Sequence, residues 1–273
     1  MIQYSHNTEN NLPIVNNTMD TITAKQLEIL TLIYRFRFLN RHHIQSLLNH
    51  KDPRRINSWL KELTEKNILG RFYSTKLKEN TKPAIYYLVT KSRKILLEQE
   101  NTNEKILRRA YRDRNASQKL INHSLFLVDV YLMLKEQSFK NKQELHFFTK
   151  TDLAEHYYLP YNRPDAYISL KDKKQSKRYF LEIIDEGTPR FMLRKKISQY
   201  IEYFDEGTWE NRTLHDNPSL LFICPNQNIY NFLNKHIPQV LEEETSDLQF
   251  FLSLKSEIQE SGLTANTWHL ISE

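Results

Sequence analysis

The chain has 273 residues but only one cysteine, Cys224, and 4 glycines. A lone cysteine excludes an intrachain disulfide and cannot seed a cysteine metal cluster, so a reducing, cytoplasmic setting is expected. With so few glycines, neither G-x-x-x-x-G-K nor G-x-G-x-x-G occurs, which argues against a phosphate-cradling nucleotide loop. No apolar run approaches the roughly 18 residues of a membrane span, and no signal-peptide pattern opens the sequence, so no membrane partner is expected. No two histidines stand two residues apart, which removes the His-x-His pattern needed by two-histidine strand-transfer enzymes.

What is present suffices for cores. The hydrophobic share is 39% and aromatics make up 12%, against wholesale disorder, and the length allows two ordinary domains. The net charge of +6 conceals an asymmetry. Residues 21–120 hold 22 Lys and Arg against 9 Asp and Glu, whereas residues 121–273 hold 17 against 22. A strongly basic first half is the footprint of a nucleic-acid partner; the acidic second half needs another explanation.

Residues 1–20 are Asn-rich and aperiodic, and read as a flexible tail. Thr23-x-x-Gln26 is a capping box before an apolar stripe of Leu27, Leu30, Ile33 and Tyr34. Asn40 caps a second short helix that includes Arg41, and Asp52-Pro53 starts a third running to about Lys66. Ile56, Leu60 and Leu63 form the buried stripe of that third helix, leaving Arg54, Arg55, Asn57, Ser58 and Lys61 for its outer face. Two strand-like runs, 68–73 and 84–89, flank a basic loop with Lys76, Lys78 and Lys82. Three helices followed by a hairpin is the order of a winged helix-turn-helix, and YYLVTKSRKILL resembles the second wing strand and next helix of winged-helix repressors. Its expected span is residues 21–100, with double-stranded DNA as partner. Arg41, Arg54, Arg55, Asn57, Ser58 and Lys61 are its candidate contacts, with Lys76, Lys78 and Lys82 on phosphates.

Residues 101–116 read as a polar, charged connection, and 117–273 as a second domain. Leu120–Leu134 is an apolar helix carrying His123, expected to be a satisfied core histidine. Leu145–Phe148 reads as a strand. Two further strands, Ala166–Leu170 and Arg178–Ile184, are joined by a polar turn, and a helix follows with Leu193, Ile197, Tyr200, Ile201 and Phe204 at helical spacing. Leu220–Cys224 reads as a further, fully apolar strand. Asp165, Glu182, Asp185 and Glu186 sit at the strand ends.

This layout resembles the PD-(D/E)XK nuclease core, where two strands present carboxylates to a divalent cation. More narrowly, Pro164-Asp165, then Asp185-x-Gly187-Thr188, then a Lys-rich helix ending Tyr200-x-x-Tyr203 resembles the replication-relaxation family of plasmid and mobile-element proteins. The resemblance implies an α+β protein: an N-terminal winged helix-turn-helix, then an α/β restriction-endonuclease-like domain with a mixed sheet. It makes Asp165, Glu182 and Asp185 candidate catalytic and metal-holding carboxylates for Mg²⁺ or Mn²⁺. The pattern departs from the nuclease core in either register. With Glu182 as the second carboxylate, the lysine expected two residues on is replaced by Ile184, and Lys195 (or its neighbour Lys196) is the displaced candidate; with Asp185 aligned to D-x-G-T, the acidic position two residues earlier is Ile183. Glu182 and Asp185 would also face opposite sides of a regular strand unless a bend intervenes. The implied function is DNA binding in plasmid replication, relaxation or transfer. The alternatives are a metal-dependent nickase and a dimeric repressor, and a replication or transfer protein is a further expected partner. The incomplete catalytic set favours a second domain that does not cleave.

Overall fold

The computed structural model describes residues 22–73, 82–99, 102–173, 175–242, 248–263 and 265–271. Lys76 and Lys78 lie outside these described residues. The chain divides between Asn115 and Ala116 into two compact units.

The first unit opens on helix α1 (Ala24–Phe36). The Thr23 hydroxyl accepts the Gln26 N–H at 3.3 Å and the Gln26 amide oxygen accepts the Thr23 N–H at 2.9 Å, closing the capping box. A two-residue strand β1 (Leu39–Asn40) leads into α2 (Arg41–Leu47), where the Asn40 side chain accepts the His43 N–H at 2.9 Å. Helix α3 (Pro53–Glu65) starts on an Asp52 cap, whose carboxylate accepts the Arg54 N–H at 2.8 Å. Its Ile56, Leu60 and Leu63 are buried, as are Ile29, Leu30 and Ile33 of α1 and Ile44 of α2. The opposite face of α3 is solvent: Arg54, Arg55, Asn57, Ser58 and Lys61 are all exposed.

Strands β2 (Leu69–Phe72) and β3 (Ile85–Leu88) pair antiparallel, and β1 pairs with the other edge of β3. Helix α4 (Thr90–Leu97) follows, then two single-turn helices, α5 (Glu104–Leu107) and α6 (Ala110–Asp113). These turns belong to the first core, since Leu107 is buried and the buried Asp113 carboxylate accepts both Nε and Nη2 of Arg37 at 2.8 and 2.7 Å.

The second unit begins with α7 (Gln118–Lys140), capped by Ser117. Strands β4 (Glu144–Thr149), β5 (Ala166–Lys171) and β6 (Ser176–Ile183) run antiparallel in sequence order. Helices α8 (Arg190–Asp205) and α9 (Thr208–Thr213) then carry the chain to β7 (Ser219–Cys224), parallel to β6. Helix α10 (Gln227–Leu241) crosses to β8 (Phe250–Leu254), again parallel. Helix α11 (Lys255–Ser261) and the antiparallel edge strand β9 (His269–Ile271) finish the unit. The result is one mixed sheet of order β4-β5-β6-β7-β8-β9.

One sheet face contributes Phe180, Leu220, Phe222, Phe250 and Leu252, and α8 and α10 press Leu193, Ile197, Tyr200, Ile201, Leu233 and Ile237 against it. Each large side chain so buried stabilises by roughly 1.5–3 kcal/mol, which fixes the height and rotation of α8 over the end of β6. The apolar stripe of that helix therefore decides which of its polar residues meet the strand. Among the described residues no helix is long and apolar enough to cross a membrane.

Candidate functional site

The site forms where the antiparallel pair β5–β6 meets the first parallel strand. Asp165 stands one residue before β5, its N–H given to the Leu181 carbonyl at 2.9 Å, so sheet pairing holds its backbone. Its side chain is turned inward: Oδ2 accepts the Ile183 N–H at 2.7 Å, and Oδ1 accepts Lys150 Nζ at 2.6 Å and His123 Nε2 at 3.1 Å. Burial pushes the Asp165 carboxyl up, but the Lys150 and His123 charges and bonds outweigh it and hold the group well below the usual carboxylate range.

His123 is satisfied, as expected of a largely buried histidine, but its partners are charged. Its second nitrogen, Nδ1, lies 3.0 Å from Asp185 Oδ1, so the ring spans two carboxylates. A neutral imidazole offers one N–H, whereas bonding to two ionised carboxylates requires two, so the ring is an imidazolium. Burial alone would lower its pKa; the bonds and charges of Asp165 and Asp185 raise it to about 9.

Asp185 reaches this place because β6 has ended. Strand pairing continues only to Ile184, whose N–H meets the Ile223 carbonyl at 2.9 Å. The chain then turns, with the Thr188 hydroxyl donating to the Asp185 carbonyl at 2.7 Å and Gly187 at φ 73°. That positive φ suits glycine. The turn resolves the problem of opposite strand faces, and Asp185 joins the cluster by way of His123.

Glu182 is fully inside β6 and its two oxygens are claimed from α8. Lys196 donates to one and the Tyr200 hydroxyl to the other. Burial raises the Glu182 carboxyl above its ordinary value in spite of the Lys196 charge. Of the two candidate lysines, it is Lys196 that reaches Glu182. Lys195 is exposed, and because Leu193 and Ile197 must face the sheet, the rotation of α8 carries Lys196 and Tyr200, four residues apart, to the strand. Lys150, just past β4, enters the cluster from a region with no local signal. Burial would lower its ammonium pKa, but Asp165 and Glu182 raise it.

Three carboxylates thus meet three cationic side chains. A divalent Mg²⁺ or Mn²⁺ wants carboxylate oxygens with open lone pairs and uncompensated charge. Here Asp165 Oδ1 already takes two donors, each oxygen of Glu182 takes one, and burial disfavours the charged form of Glu182. Among the described residues no group of three or more His, Cys, Asp and Glu could hold a metal ion. As placed, these oxygens are engaged by the protein's own cations and donors rather than left open for the divalent cation that the resemblance implied.

In the first unit, Arg41 is exposed at the start of α2 and Lys82 is exposed just before β3. With Arg54, Arg55, Asn57, Ser58 and Lys61 of α3, they are the described members of the basic face; Lys61 pairs with Glu65 at 3.7 Å, a solvent-exposed contact worth little.

The Replication-relaxation family model matches residues 30–215, more than half of the chain, and the chain belongs to that family. Among solved structures, restriction endonuclease FokI bound to DNA aligns at 11% identity and TM-score 0.30, over 89% of this chain and 45% of that one. A second structure of restriction endonuclease FokI aligns at 12% identity and TM-score 0.28, over 89% and 44%. The chain spans less than half of the endonuclease's length. Curated proteins give no match in sequence.

Proposed function

We propose that the protein binds double-stranded DNA through its first unit and acts in replication or relaxation of a plasmid or other mobile element. The observation that carries this is the exposed face of α3. Ile56, Leu60 and Leu63 anchor one side of the helix, and Arg54, Arg55, Asn57, Ser58 and Lys61 face water on the other. With α1 and α2 before it and the β2–β3 hairpin after it, the order is that of a winged helix, in which the third helix enters the major groove. The basic balance of residues 21–120 supplies the phosphate attraction. Membership of the Replication-relaxation family supports the process.

In this reading the second unit is a nuclease-like fold that holds rather than cuts. Its carboxylates are neutralised by the protein's own cations. A metal-dependent nickase is the second reading, favoured by the convergence of Asp165, Glu182 and Lys196 on one place. Band shifts of the full chain on duplex DNA test the first. Arg54→Ala with Arg55→Ala lowers affinity by about tenfold or more and flattens the salt dependence. Unchanged affinity in that variant removes the α3 face from the interface.

A further inference from the structure

We propose that the second unit carries its own binding groove for single-stranded DNA, between α8 and the loop of residues 150–163. This goes beyond duplex binding by the first unit and does not depend on it. A cavity of about 600 Å³ opens there, walled by Lys150, Tyr161, Arg163, Met192, Lys195 and Lys196, and no acidic side chain lines it. The deficit of positive charge over residues 121–273 is therefore an average that hides a local cationic groove.

Two of the four cations are committed to the carboxylate cluster, Lys150 to Asp165 and Lys196 to Glu182. The other two line the cavity and form no ion pair among the described residues. Arg163 spends its N–H groups on the carbonyls of Leu153, Ala154 and His156, which stiffens the loop and fixes the guanidinium but offers it no carboxylate. Lys195 is exposed and has no carboxylate partner among the described residues. The same rotation of α8 that sends Lys196 to Glu182 sends Lys195 into the groove.

Apolar surface lies beside this charge. Tyr161 is 94% exposed and Met192 is 52% exposed. A tyrosine so bare contributes nothing to the core, and its ring presents a free face next to fixed cations. That combination, backbone phosphates on cations and a base on an aromatic ring, is how single strands are held without sequence preference. Stacking on Tyr161 needs a base whose face is open, and in a duplex both faces are already covered by neighbouring pairs. Asn162 and Gln199, joined by a 2.8 Å hydrogen bond, also line it. An adjoining cavity of about 200 Å³ shares Tyr161, Asn162, Lys196 and Gln199 but brings in Glu202 and Glu206. Those carboxylates repel phosphate, so the strand enters from the Lys195 and Arg163 side.

The test is fluorescence anisotropy of the full chain with a labelled oligothymidylate single strand, beside a duplex and an RNA strand of oligouridylate. Tyr161→Ala weakens single-strand binding by about tenfold, the scale of one lost stacking contact, while Tyr161→Phe retains it. Lys195→Ala lowers the magnitude of the salt slope by about 0.7. Arg54→Ala with Arg55→Ala leaves single-strand affinity intact while duplex affinity falls. Four results would overturn the proposal. They are single-strand affinity unchanged by both groove variants, a parallel loss of duplex affinity in them, loss of single-strand binding in the α3 variant, or tighter binding to RNA than to DNA. Unchanged duplex affinity in the α3 variant counts against the first unit's role alone.

Discussion

Lys196 lies 14 residues beyond Glu182, yet its ammonium closes on a Glu182 carboxylate oxygen, with Tyr200 one helical turn further on donating to the other. The helix supplies what the strand lacks, since the residue two past Glu182 is Ile184, itself buried. Removing Lys196 leaves a buried carboxyl with one donor and only the Lys150 charge, which makes no hydrogen bond to it, in attendance. Lys196→Met therefore destabilises the second unit by on the order of 2 kcal/mol at neutral pH, and adding Glu182→Gln recovers most of the loss. Urea unfolding read by Trp209, buried beside Tyr167 and Phe180, measures both. Equal loss in the single and double variants would show that Lys196 acts through packing alone.

The His123 bridge predicts a pH dependence with a definite sign. Its folded value, raised from 6.5 to about 9, lies above the unfolded one, so the folded state holds an extra proton between them. The stabilisation is complete below about pH 6.5 and disappears as pH rises through about 9. The second unit loses at most roughly 1.4 kcal/mol per pH unit over that window. Asp165 has the opposite sense: its carboxyl is depressed, so its contribution is present above the ordinary 3.8 and is lost on acidification. His123→Gln flattens the alkaline limb and shrinks the acid limb, of which the Lys150 charge on Asp165 keeps a part. An alkaline limb that survives His123→Gln would assign it to another group.

What the sequence made legible follows the range of each interaction. Thr23 with Gln26 and Asp52 with Pro53 are contacts within one turn, and both helix starts stand where those residues put them. The short runs rich in Tyr, Ile, Phe and Leu that follow Asp165 and contain Glu182 marked β5 and β6 within two residues at each end. Strand β1 escaped notice because two residues carry no alternation, and it exists only by pairing with β3. The site was legible in Asp165 and Glu182, whose strand positions are local. His123 and Lys150 join it across 42 and 15 residues, by tertiary packing that no spacing encodes. The choice between Lys195 and Lys196 depends on the exact rotation of α8, set by Leu193, Ile197 and Tyr200 together.

Gly70 predicts the tolerance of the hairpin. It stands opposite Tyr87 in the β2–β3 register, and the Tyr87 ring lies over it while stacking on Phe72 at 4.6 Å between centroids. A Cβ added at Gly70 would fall 2.3 Å from the Tyr87 ring. Gly70→Ala must displace that ring, costing roughly 1–3 kcal/mol in the first unit. The paired change Tyr87→Leu with Gly70→Ala costs less than the sum of the two singles. Thermal unfolding of the four proteins checks the coupling; strict additivity would mean that the ring does not rest on Gly70.

The last prediction is that the second unit does not cleave DNA. Water attacks a phosphodiester only when it is positioned and deprotonated, and in metal-dependent nucleases the cation does both. Here the oxygens that would bind the cation already receive Lys150, His123, Lys196, Tyr200 and the Ile183 N–H. Mg²⁺ would have to displace ammonium and imidazolium groups from a cluster already close to neutral, with burial disfavouring the charged form of one ligand. Supercoiled plasmid incubated with the pure full chain in Mg²⁺ or Mn²⁺ therefore stays supercoiled, and neither cation raises the unfolding temperature of the second unit. His123→Gln with Lys196→Met frees oxygens on both Asp165 and Glu182, so this double variant gains cation-dependent stabilisation that the parent lacks. Cation-dependent nicking by the parent, lost in Asp165→Ala and in Glu182→Ala, would show that the cations yield to the metal and that the cluster is a working nuclease centre.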